Sequence, residues 1–101
     1  MRMWLVDPTK MCRKHLLGEH VELHMLIGSI QKGRSIQGFI KDGLVELQSI
    51  ESRHSELVLE MTRRGYNHKS ILPTIPYQKM GMVDVVANEK ELHRRCRECK
   101  F

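Results

Sequence analysis

Apolar residues in the first third of the chain recur at helical intervals. Leu16, Leu23, Ile27 and Ile30 share one face when successive residues turn by about 100°. The same winding sets His15, Glu19 and Glu22 in a polar stripe. This pattern predicts a first helix from about Pro8 or Arg13 to about Gln31, stopped by Gly33 with Lys32 near its negative end. Ahead of it, residues 1–6 read as a short extended segment turning Trp4 and Leu5 inward, and Asp7-Pro8 is a helix-start signal. Residues 34–43 carry Ile36, Phe39 and Ile40 at helical spacing and predict a short helix ending at Gly43. A second long helix is signalled by Ser49 as N-cap, by Glu51 in the first turn, and by Ile50, His54, Leu57 and Met61 on one face. Arg63, Arg64 and Gly65 mark its end. Residues 66–81 include Pro73 and Pro76 and read as an irregular crossing loop. From Asp84 a third helix carries Val85, Leu92, Cys96 and Cys99 on one side and Lys90, Arg94, Arg95 and Arg97 on the other. No segment alternates as a strand, and no repeat or low-complexity tract is present. The expected fold is all-α: one compact domain over residues 1–101, about three helices with a long irregular loop.

Composition narrows the class without fixing the function. A chain of 101 residues can build one modest core, and 41% hydrophobic residues before glycine is counted is a globular composition. Seventeen Lys and Arg against 12 Asp and Glu give a net charge of +5, which suits a polyanionic partner. The N-terminal apolar run spans only residues 3–6 before Asp7-Pro8 breaks it, so neither a signal peptide nor a membrane span is expected there. With an odd number of cysteines, three, this points to a reducing, cytoplasmic location.

Four candidate chemistries remain. His20 and His24, at i and i+4, can share a metal ion, but the order Glu19-His20-x-Glu22-x-His24 is not H-E-x-x-H and no third ligand is signalled. Cys96-x-x-Cys99 is half a zinc site; only Cys12 remains toward the other half, and no βαβ unit supports a redox role. These thiols are therefore expected to be free, and no metal is expected. The cations Arg2, Arg13, Lys14, Lys32, Arg34, Arg63, Arg64 and Lys69 gather at helix ends and loops, where DNA phosphates can be reached. Helix dipoles favour several of these positions without any DNA. Last, Met1 precedes the bulky Arg2, so methionine is expected to stay and its α-amine to be free. An α-amine ordinarily titrates near 7.7–8, which leaves a nucleophilic fraction at neutral pH.

Taken together, Arg2, Leu5-Val6-Asp7-Pro8, His15-Leu16-Leu17-Gly18-Glu19-His20-Val21-Glu22-Leu23 and Arg64-Gly65-Tyr66-Asn67 resemble the pyrimidine-dimer DNA glycosylases, the phage-type endonuclease V family. The resemblance covers about residues 1–70. In that family a free N-terminal α-amine attacks C1′ of the damaged nucleotide and a helix glutamate assists. The register implies Met1 as the amine-bearing residue, Glu22 as the catalytic carboxylate, Arg2 beside the amine on a phosphate, and His15 and Glu19 in supporting positions. It adds Tyr66 and Asn67 to the DNA-contacting residues. It further implies damaged double-stranded DNA as partner and an imine intermediate with β-elimination; no cofactor, no membrane and no obligatory protein partner are expected. Phage-type members carry threonine at the position of Met1, arginines at those of Val21 and Met25, and an aromatic C-terminal tail that has no counterpart in residues 89–101. Abasic-site lyase activity is therefore the core expectation. A non-catalytic helical DNA-binding or adaptor domain on the same scaffold is the alternative, and a small metalloprotein built on His20/His24 or Cys96/Cys99 is a third reading.

Overall fold

The computed structural model of the chain describes residues 1–68 and 70–101. It contains α1 (Arg13–Gln31), the short α2 (Gln37–Lys41), α3 (Ile50–Arg63) and α4 (Val85–Arg95), and no strand among the described residues. The all-α expectation holds, with α1 and α3 forming the main helix pair. No helix among the described residues is long and apolar enough to cross a membrane.

Local chemistry explains most boundaries and two departures from them. The Asp7 carboxylate accepts the Thr9 N–H at 3.0 Å, but it caps only a single 3-10 turn, Pro8–Lys10. The chain then extends through Met11 and Cys12, so α1 begins at Arg13. Ser49 precedes α3 as expected yet makes no cap bond; its hydroxyl donates to Glu46 instead. Gly65, at φ 83°, closes α3 in a left-handed conformation, and the Tyr66 N–H returns to the Met61 carbonyl at 2.9 Å. Asp84 does cap α4, accepting the Ala87 N–H at 3.0 Å.

Helix α4 is shorter than its sequence pattern predicts. It stops at Arg95, and Cys96 is extended, so Cys96 and Cys99 lie beyond the helix rather than on its apolar side. Val85 is exposed, and the residues α4 buries are Asn88 and Leu92. The N-terminal segment also differs in detail. Met3, Trp4 and Val6 are buried, whereas Leu5 sits at φ 55° and is only partly covered. A left-handed leucine is strained, and here it breaks the inward-outward alternation of the segment. The crossing loop is pinned at Gly81, where an added Cβ would lie 2.3 Å from the Val45 carbonyl oxygen, so a side chain cannot be tolerated.

At the centre lies an ion pair that the polar stripe did not disclose. Arg53 and Glu19 are each 1% exposed. Arg53 donates Nε and Nη2 to the two Glu19 oxygens at 2.7 and 2.8 Å, and Nη1 to the Val6 carbonyl at 2.7 Å. The pair joins α3 to α1 and draws the N-terminal segment against both. Glu19 is thus neither a solvated residue nor a free wall of a site. A second ionic knot closes α3: Arg63 and Arg64 both donate to Glu60 at 2.6 Å and hold its carboxyl down at about 2. Arg64 also donates to the Met11 carbonyl at 2.7 Å.

Desolvating two charges costs several kcal/mol per ion, offset chiefly by their mutual contact and the Val6 bond, with the Met11 sulfur and the Glu56 carboxylate also within reach of Arg53. Arg53→Met strands the Glu19 carboxylate without its partner. It is expected to lower the unfolding free energy measured in urea by about 3–5 kcal/mol, and Glu19→Leu added to it to recover part of that loss. A cost below about 1 kcal/mol for Arg53→Met would show that the pair is not the central tie.

Candidate active site

Glu22 lies on the open edge of α1 with Gly18 one turn before it and Met25 and Ser29 after it at helical intervals. A Cβ on Gly18 or Gly28 would meet nothing within 4 Å, so these glycines do not seat another part of the chain; they keep the helix surface low. Val21 and Met25, 54% and 55% exposed, flank Glu22 with apolar surface. Two hollows border this edge. Met1, Met25, Lys32 and Arg34 help to line one of about 240 Å³. Trp4, His15, Gly18 and Glu22 help to line another of about 450 Å³.

The first two residues act directly on Glu22. Burial pushes its carboxyl above the ordinary range, and Glu19 adds to that; the Met1 α-ammonium and the main-chain N–H and guanidinium of Arg2 pull the other way. The half-buried carboxylate thus lies within the field of the amine terminus, beside a helix edge that is open to a ligand.

The N-terminal segment reaches this position because α4 and the chain before α3 hold it. The Met3 N–H donates to the Leu44 carbonyl at 2.8 Å. Asn88, buried on α4, donates to the Trp4 carbonyl at 2.8 Å and the Met3 carbonyl at 3.3 Å, and accepts from the Arg2 guanidinium at 2.7 Å. That guanidinium also lies 3.9 Å over the Trp4 ring. Asn88 escaped the sequence reading; its one signal was a polar residue four before Leu92 on the apolar side of α4.

The other expected site residues divide. Glu19 is taken by Arg53. His15 turns Nδ1 toward the Cys12 and Cys99 sulfurs at 3.1 and 3.5 Å, with its ring edge-on to Trp4 at 6.2 Å. Arg13 lies 5.5 Å over the Tyr66 ring, and Lys14 and Asn67 are exposed nearby in sequence to it and to Tyr66 respectively. Lys32 and Arg34 stand at the far end of α1 near Met1. Arg63 is exposed while paired with Glu60, and Arg64 is committed to Glu60 and the Pro8 and Met11 carbonyls. Lys69 lies outside the described residues. His20 is buried and His24 partly so: they pack with His54 and His68, and burial, reinforced by the neighbouring imidazoles, pushes His20 down to about 4.

A family profile described as pyrimidine dimer DNA glycosylase matches residues 1–74. The chain belongs to that family. No curated protein and no solved structure matches it. Membership gives the chain a DNA glycosylase-type role in DNA repair, with DNA as its substrate. The matched region of this glycosylase holds the N-terminal segment, Glu22 and the Arg53–Glu19 pair, whereas α4 and Asn88 lie beyond it.

Asn88→Ala in this glycosylase removes the tie between α4 and the N-terminal segment. It is expected to speed amide hydrogen exchange of residues 2–5 by at least about tenfold, and α1 and α3 much less, since a lost buried hydrogen bond costs about 1–3 kcal/mol. Equal acceleration throughout would mean that Asn88 supports the whole fold and not the segment.

Proposed function

We propose that this chain excises damaged pyrimidines and cleaves the resulting abasic site through an imine on its own N-terminus. The observation carrying this reading is the electrostatic convergence of Met1 and Arg2 on Glu22, in a chain of the pyrimidine dimer glycosylase family. The substrate is damaged double-stranded DNA. Net charge of +5 attracts it, and Arg13 and Lys14 at one end of α1 with Lys32 and Arg34 at the other offer phosphate contacts on both sides of Glu22. A damaged step is the easiest place to unstack, at a cost of a few kcal/mol, so lesions open to the site preferentially.

In the reaction the lone pair of the Met1 amine forms the new bond to C1′ while the base leaves with the electron pair of the broken glycosidic bond, and the attached nitrogen gives up a proton. Opening of the sugar ring at O4′ converts the adduct to an imine. The Glu22 carboxylate stabilises positive charge developing on the sugar and then accepts the C2′ proton, and β-elimination expels the 3′ phosphate. Arg2, positioned by Asn88 and Trp4, holds a phosphate beside the amine. His15 and Glu19 act indirectly, through Trp4 and through the alignment of α1. Every reacting group here belongs to the chain or the DNA, and no cofactor enters.

Acetylating the α-amine, or placing one residue ahead of Met1, is expected to slow nicking of abasic duplex by at least about a hundredfold with DNA affinity little changed. Glu22→Gln is expected to bind within about threefold of the native chain yet cleave about 10²–10⁴ times more slowly. An N-terminally blocked form that nicks at the native rate would place the nucleophile elsewhere. Salt-sensitive binding without any cleavage would favour a non-catalytic DNA-binding domain.

A further inference from the structure

All three cysteines and five of the six histidines fall into two groups of four, leaving His93 apart. In the first group, one donor atom each from Cys12, His15, Cys96 and Cys99 lies within 4.8 Å of every other. Cys12 Sγ is 3.1 Å from His15 Nδ1, Cys99 Sγ is 3.5 Å from the same nitrogen, and Cys96 Sγ is 3.8 Å from Cys12 Sγ. A tetrahedron with Zn–S of about 2.3 Å and Zn–N of about 2.0–2.1 Å has S···S edges of about 3.8 Å and S···N edges of about 3.5 Å. The Cys99–His15 and Cys96–Cys12 separations match those edges, and the Cys12–His15 contact is about 0.4 Å shorter. None of the sulfurs is joined in a disulfide.

The sequence brackets the group from both sides. Cys12-x-x-His15 straddles the start of α1, and Cys96-x-x-Cys99 follows the end of α4. Paired ligands at short spacing, brought together from distant parts of a chain, are the arrangement of structural zinc sites. The Cys12 N–H donates to Cys99 Sγ at 3.2 Å, an outer contact that favours a thiolate ligand. Cys12 and Cys99 are buried, and His15 and Cys96 are partly buried. We propose that Cys12, His15, Cys96 and Cys99 form a structural zinc centre. It fastens the segment after α4 to the start of α1, beside the Lys100 N–H bond to the Lys10 carbonyl at 2.8 Å. By fixing His15 against Trp4 it also steadies the ring on which Arg2 rests.

The second group stands on separate observations. His20 and His24 from α1, His54 from α3 and His68 from the following loop bring one ring nitrogen each within 4.8 Å of the others. His24 Nε2 and His54 Nε2 are 3.3 Å apart, close to the N···N edge of about 3.3 Å in a tetrahedral imidazole site. Buried Nε2 atoms of His20 and His68 find no hydrogen-bond partner among the described residues, a cost that a coordinated ion removes. We infer a second divalent-metal centre here. An all-imidazole set suits zinc, copper or nickel, and it would tie the loop after α3 to the α1–α3 pair.

Both centres are tested on tag-free full-length chain purified without chelator, by elemental analysis and by cobalt titration of the metal-stripped protein. About two metal ions per chain are expected. Cobalt should give tetrahedral visible bands together with a thiolate-to-metal band in the near ultraviolet. Cys96→Ser should lose one equivalent and most of the near-ultraviolet band, and His54→Gln should lose the other equivalent and keep that band. Titration of the unsubstituted chain decides the matter even if a variant fails to fold, because only the cysteine centre gives the thiolate band. Isolation below about a tenth of a metal per chain with no thiolate band on cobalt addition overturns the first centre. Uptake that stops at the thiolate-bound equivalent overturns the second.

Discussion

Arg53 binds both oxygens of Glu19 and the Val6 carbonyl from a position almost closed to water, so the path of the N-terminal segment is set by an ion pair between two helices. Most of the candidate site depends on this contact. Glu22 follows Glu19 by about one helical turn, so the pair that fixes Glu19 also fixes the direction in which Glu22 leaves α1. Val6 anchors the back of the segment, and Asn88 and Leu44 anchor its front. Between these points Leu5 takes a left-handed conformation, and the strain persists because both ends are held. A terminal amine usually moves freely; here two anchored residues behind it restrict where it can go.

Patterns local in the chain were legible before the structure. The apolar faces of α1 and α3, the Gly65 stop and the Asp84 cap each depend on residues within a few positions of one another. Long-range partners were not. A glutamate on a polar stripe looks the same whether it faces water or an arginine 34 residues away, and Glu19 has the arginine. The pattern carried α4 past its end because Cys96 follows Leu92 at helical spacing, although the chain there is extended. Likewise Cys96-x-x-Cys99 read as half a site because its complement, Cys12-x-x-His15, stands 84 residues earlier. Met1 and Glu22 were singled out by a family resemblance, since neither the charge nor the spacing of Glu22 distinguishes it from Glu19.

The remaining 27 or so residues beyond the matched region serve this arrangement from outside it. They supply Asn88 to the N-terminal segment and two cysteines to the start of α1. A chain of this size buries limited apolar surface, and cross-links between distant segments compensate. The Arg53–Glu19 pair and the two proposed metal centres tie other segments to α1, the helix that presents Glu22, and the Asn88 bridge holds the N-terminal segment that lies against it.

The central claim is that the α-amine of Met1, opposite Glu22, is the group that becomes bonded to the sugar. Trapping with borohydride on abasic duplex, followed by peptide mass mapping of the adduct, tests this most directly. The account predicts a stable protein–DNA adduct whose modification maps to the N-terminal peptide at the Met1 nitrogen. An adduct on a lysine side chain, or none under conditions in which the strand is cleaved, would contradict it.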